Sequence, residues 1–180
     1  LGEGVVLPLT EGWRYHADPA NAGIGSGWFR RSFPADDWRP IQMPAEGGWY
    51  QWIDEARDVV WYRNQVEVTP DMLRDHVYLY VPAADRNCLV WVNGELVLEH
   101  TAEAAGVVPE RLWDTPFAVD VREHLDAAEP NVVVMRVDHP RIMGRVHFPV
   151  YLVATDAETS IEVLGEVAER IRERVEDHNG

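Results

Sequence analysis

The sequence has no lysine, a single cysteine, and no apolar run long enough to span a bilayer. Each absence removes something. One cysteine, Cys88, rules out an internal disulfide; set in an apolar stretch, it reads as a small core hydrophobe. Without lysine, all 16 basic side chains are arginine, and 31 acidic residues outweigh them to a net charge of -15. That balance repels phosphate backbones and anionic membranes, so neither nucleic acid nor a membrane is an expected partner. Neutral ligands such as sugars are indifferent to the field. The chain opens on Leu1 rather than Met and shows no signal peptide, which leaves the compartment open, extracellular and periplasmic settings included.

What is present is a series of short extended segments. Asp85 to Val97 reads as a β-hairpin whose turn is Asn93-Gly94, because both residues of that turn type take positive φ. Val60 to Val68, His76 to Val81, Phe117 to Val121, Asn131 to Val137 and Phe148 to Val153 are further strands, separated by Pro, Gly and Asp. Residues 1–60 are expected to form short strands and long loops wrapped over a core, and residues 101–116 a long loop. Near-even strand spacing with almost no long helix predicts an all-β fold, an antiparallel β-sandwich or jelly roll, over residues 1–157. Gly23, Gly25 and Gly27 precede Trp28-Phe29 rather than a helix, which argues against a phosphate-binding loop.

Residues 158–180 differ. Ile161, Leu164, Ala168, Ile171 and Val175 recur every three or four positions, one apolar stripe on a C-terminal amphipathic helix. Thr159 and Glu162 suit a capping box. The helix is expected either to dock on its own sandwich or to join subunits in a homo-oligomer through residues 159–180.

Several phrases together resemble a known family. Trp13 to Pro19 with Gly23 and Trp28, Asp37 to Pro44 with Trp49, Val60 to Arg63, Ala84 to Gly94 with His100, Thr115 to Phe117, Asp120-Val121, Leu125, Asn131 to Val134, and Gly144 to Leu152 stand in the order of the amino-terminal domain of family 2 glycoside hydrolases. These are the β-galactosidase and β-glucuronidase group, and the likeness runs over roughly residues 10–155. The resemblance implies a galactose-binding-domain-like jelly roll, the so-called sugar-binding domain, which often buttresses a catalytic barrel. The acid and nucleophile would lie on that separate barrel. Some β-galactosidases lend the substrate pocket a loop Asn and a late Asp from this domain. Here Asp138 to Gly144 is short and lacks the Trp of that late loop, so neither contact carries over.

Sugar sites combine an aromatic face with hydroxyl-binding polar groups on loops. Two clusters qualify: Trp49, Tyr50 and Trp52 with Gln51 and Asp54, and Trp113 with Glu110, Arg111 and Asp114. The alternative for each is plain packing, as expected for Trp13, Trp38 and Trp91 in the core. No carboxylate pair stands in a context that suggests glycoside hydrolysis, so no catalytic residue is expected. His139 and His147 with His100 or Asp138 are the candidate ligands of a transition metal, though without tight ligand spacing. Asp18, Asp36, Asp37, Asp138 and Asp156 are candidates for a structural calcium, without a recognised loop motif. Otherwise no cofactor is expected. Asp85 and Arg86 at the hairpin entrance read as structural, a local ion pair or a turn. Three functions fit: a non-catalytic carbohydrate-binding or accessory module, a scaffold that oligomerises through its C-terminal helix, or a fragment of a glycosidase whose catalytic barrel is absent from this sequence.

Overall fold

The computed structural model describes residues 4–41, 59–84, 87–138 and 149–179, the last five as backbone. Its strands are β1 (Val5–Leu9), β2 (Arg14–Ala17), β3 (Arg39–Pro40), β4 (Val59–Val66), β5 (His76–Val81), β6 (Asn87–Val92), β7 (Glu95–His100), β8 (Phe117–Asp120), β9 (Asn131–Asp138) and β10 (Val150–Thr155). They form two antiparallel sheets, β1-β10-β5-β8 and β3-β2-β4-β9-β6-β7. This is the expected all-β sandwich. The β6–β7 hairpin turns on Asn93 and Gly94, with φ of 50° and 86°; only residues tolerant of that region close so tight a turn.

Three layers of burial follow from strand alternation. Between the sheets lie Val60, Tyr62, Leu79, Val90, Met135 and Leu152, with Trp13 at one end. Cys88 belongs to this layer, and burial pushes its thiol well above the ordinary value, so it packs as a hydrophobe. The outer face of the six-stranded sheet carries Trp61, Trp91, Val132 and Val134. The segment 18–38 folds over them and contributes Trp28, Phe33 and Trp38. Trp61 stacks on Trp91 at 5.2 Å, and Phe29 stacks on Trp91 at 5.3 Å. Trp38 and Trp91 are therefore buried as expected, but outside the inter-sheet core. With both faces covered, β4 and β9 read as continuous buried runs rather than alternating ones.

The outer face of the four-stranded sheet carries Tyr78, Tyr80, Tyr151 and Val153, and helix α2 (Ile161–Asn179) lies across it through Leu164 and Ala168. The helix begins one residue later than the expected box. Its first turn starts from Ser160, whose carbonyl accepts the Leu164 N–H at 3.0 Å. The Thr159 hydroxyl turns back to the Ala157 carbonyl, and the Thr159 N–H donates to the Tyr78 hydroxyl. Thr159 thus ties the helix to the sheet instead of capping it. The 101–116 segment is more ordered than a loop. It holds α1 (Ala102–Ala105), capped by the Thr101 hydroxyl and closed by Gly106, and a 3-10 turn over Pro109–Asp114. Among the described residues no helix is long and apolar enough to cross a membrane.

Candidate functional site

Of the two aromatic clusters expected to contact sugar, Trp113 and Asp114 fall on described residues; Trp49, Tyr50, Gln51, Trp52 and Asp54 lie outside them. So do Asp85, Arg86, His139, His147 and most of the Asp138–Gly144 segment.

Trp113 sits on the Pro109–Asp114 turn with 50% of its surface exposed, the largest apolar side chain so placed among the described residues. Its neighbour Leu112 points the other way and is buried. The turn is held on both sides. Arg111 reaches Asp114 through two contacts, at 2.8 and 3.1 Å, and the Thr115 hydroxyl donates to the Arg111 carbonyl at 2.7 Å. The indole is therefore presented on a braced support, next to a planar guanidinium–carboxylate pair. Those are the parts a sugar face and its hydroxyls require.

Beneath this turn lies His100, buried and stacked on Phe117 at 4.0 Å. Burial pushes its pKa below the ordinary 6.5, against the pull of the Leu112 and Thr115 carbonyls. Its Nε2 has no hydrogen-bond partner among the described residues. The ring packs on Phe117; His139 and His147, its partners in the expected metal set, lie outside the described residues. The sign of the consequence is fixed. The unfolded chain takes up a proton near pH 6.5 that the folded chain resists, so this contribution to stability is present above that pH and shrinks below it. Urea unfolding at pH 7.5 and 5.5 should show a larger loss on acidification for the parent than for His100→Leu. Equal losses would mean that His100 is not held neutral.

The structure also builds a site that residue patterns did not single out. Arg14 on β2 and Arg63 on β4 are register partners, so their side chains share the outer face of the sheet. Gly12, Arg31, Phe33, Asp36, Asn64 and Gln65 complete a cleft of about 630 Å³ around them. Arg63 is only 5% exposed. It donates to the carbonyls of Trp28, Arg30 and Arg31 at 3.3, 3.0 and 2.8 Å, and pins the covering segment to the sheet. Burial lowers its pKa. Arg14 donates to the Trp38 carbonyl at 2.8 Å. Arg31 turns outward to Asp126 and Glu129. The sequence signal was only an Arg in each of two strands; the register that brings them together is not written locally.

Three of the five calcium candidates have protein partners. Asp18 is buried and accepts three N–H donors, from Ala22 at 2.7 Å, Gly23 at 2.9 Å and the Trp61 indole at 2.9 Å. Asp138 pairs with Arg136, and Asp156 with Arg74. Asp36 and Asp37 are exposed. No group of three or more His, Cys, Asp or Glu gathers to hold a metal among the described residues.

No family model matches the chain. It is 31% identical over 122 residues to a β-glucuronidase of Paenibacillus borealis, a match that covers 66% of this chain and 20% of that protein. The fold is similar to that of a Bacteroides uniformis β-glucuronidase, with a TM-score of 0.65 at 20% identity over 84% of this chain and 18% of the other. It is similar again to a Ruminococcus gnavus β-glucuronidase, with a TM-score of 0.65 at 14% identity, covering 86% of this chain and 29% of the other. The chain thus spans about a fifth of the curated relative it matches. The resemblance to family 2 glycoside hydrolases holds in both sequence and fold.

Proposed function

We propose that the chain is a non-catalytic accessory module that engages carbohydrate, and that it belongs with a larger glycosidase whose chemistry is carried elsewhere. What supports this best is the extent of the likeness: nearly the whole sandwich corresponds to a minor part of β-glucuronidases. Hydrolysis of a glycoside requires two carboxylates placed across the scissile bond. The described carboxylates with close partners are engaged by arginines, histidines or backbone N–H groups in the fold.

Trp113 is the proposed stacking face, with Asp114 and its partner Arg111 fixing the polar edge. Trp49, Tyr50 and Trp52 are proposed contacts of the same kind. Glycan-array binding followed by calorimetry tests the proposal. The parent should retain at least one neutral glycan, and Trp113→Ala should weaken it about tenfold through loss of the stacking surface. Trp49→Ala and Trp52→Ala, measured in parallel, apportion the remainder. A parent that binds no glycan would sink the carbohydrate role. A hydrolytic turnover by the 180 residues alone would sink the non-catalytic one.

A further inference from the structure

Arg14 and Arg63 stand directly opposite each other on one sheet face, and no carboxylate pairs with either among the described residues. Like charges at directly opposed positions destabilise an antiparallel pair. In a chain with 31 acidic residues, an acid between them would be the easy remedy. The acid that lines this cleft, Asp36, is exposed on the rim, while Arg31 is drawn away by Asp126 and Glu129. The buried guanidinium is met by three neutral carbonyls and by no counter-charge among the described residues. Departures from local charge pairing of this sort are expected where a ligand completes the pairing.

We propose that this cleft binds the anionic group of an acidic saccharide. The charged group would sit against Arg14, with the field of Arg63 behind it. The sugar hydroxyls would meet Ser32, Gln65 and the edge of Phe33. The volume, about 630 Å³, admits a saccharide of two or three rings. The net negative charge of the chain does not forbid it. Charges more than about 8 Å away are screened at physiological salt, whereas the two guanidinium groups act at contact. A planar guanidinium is suited to both carboxylate and sulfate. The saccharide part of the assignment rests on the carbohydrate function proposed for the chain; the anion part does not.

Calorimetry with the full chain separates the cases, using cellobiose, a digalacturonate and a sulfated cellobiose. The acidic sugars should bind at least about tenfold more tightly than cellobiose, and less tightly as salt is raised. Whichever acid binds better identifies carboxylate or sulfate as the source. Arg14→Gln should remove that preference. Ser32→Glu, at an exposed position, should remove it too, and keeps the test open should Arg14→Gln fail to fold. Leu96→Ala, at an exposed position outside the cleft, should leave the preference intact. Equal binding of neutral and acidic sugars overturns the proposal while leaving a carbohydrate role in place. So does a preference that survives both cleft variants. Absence of binding by all three overturns it as well, and the glycan array then decides the broader role separately.

Discussion

Replacing Asp18 with Ala should cost about 3–5 kcal/mol, a large share of the stability of a domain this size. The side chain is 2% exposed and collects three N–H donors into one carboxylate. Hydrogen bonds to a charged group are worth about 1.5–3 kcal/mol each, and removing their acceptor leaves the donors unsatisfied. The Trp61 indole suffers most, because it is completely buried. Asp18 also fixes the turn that starts the 18–38 segment, which roofs the outer tryptophan cluster. Its loss should therefore loosen Trp28 and Trp38 as well as lower the urea midpoint. Near-ultraviolet circular dichroism and chemical unfolding read the two effects. A cycle with Trp61→Phe, which removes the indole donor, should show strong non-additivity. A loss under about 1 kcal/mol would mean that the carboxylate is replaceable by water.

The same knot explains Gly23, one of the three glycines that precede Trp28-Phe29. A Cβ on Gly23 would lie 2.6–2.7 Å from the Trp61 ring. That ring is wedged against Trp28 and Trp91 and cannot retreat. The glycine is there for close packing, not for an anion. Nothing within residues 18–28 states this, because the ring comes from a strand far along the chain. The general limit on the sequence is the same elsewhere. The Asn93-Gly94 hairpin and the apolar β9 were legible because a turn dipeptide and a bounded run are local signals. Helix α2 was legible because its stripe repeats over several turns. Helix α1 was not, since four residues between Thr101 and Gly106 are too few to show a period. The choice of Ser160 over Thr159 as the helix start turned on Tyr78, whose hydroxyl takes the Thr159 N–H. In the candidate site, Trp113 and Asp114 were visible as residue types on a loop. The opposed arginines were not, because pairing of β2 with β4 is a property of the sheet.

Uncoupling helix α2 should be the other severe lesion. Leu164 is buried against the tyrosines of the four-stranded sheet, so Leu164→Ala should cost about 2–5 kcal/mol. Leu164→Asp should lift the helix outright, since an unpaired charge there has no partner to accept it. The tyrosines report the event directly. Burial raises the pKa of Tyr80 above the ordinary 10.0, with Glu169 adding to it. Burial raises Tyr151 too, with Glu169 in the same direction and Arg172 opposed. Beyond burial, the charge that raises both is Glu169, on the helix; Tyr80, on the sheet, adds to the shift of Tyr151. Lifting α2 removes both causes at once, so tyrosinate absorbance should appear at lower pH in Leu164→Asp and in a chain ending at residue 157. An unchanged titration would mean that the tyrosines are buried by something other than α2. The solution mass of the same proteins bears on self-association. If residues 159–180 also join subunits, they must do so with the side chains that docking leaves outward, and Leu164→Asp should then release the helix from the sheet while the oligomer persists. If the inward stripe is all the helix offers, parent and variant should share one monomeric mass, and the exposed tyrosine face should show instead as aggregation at raised concentration.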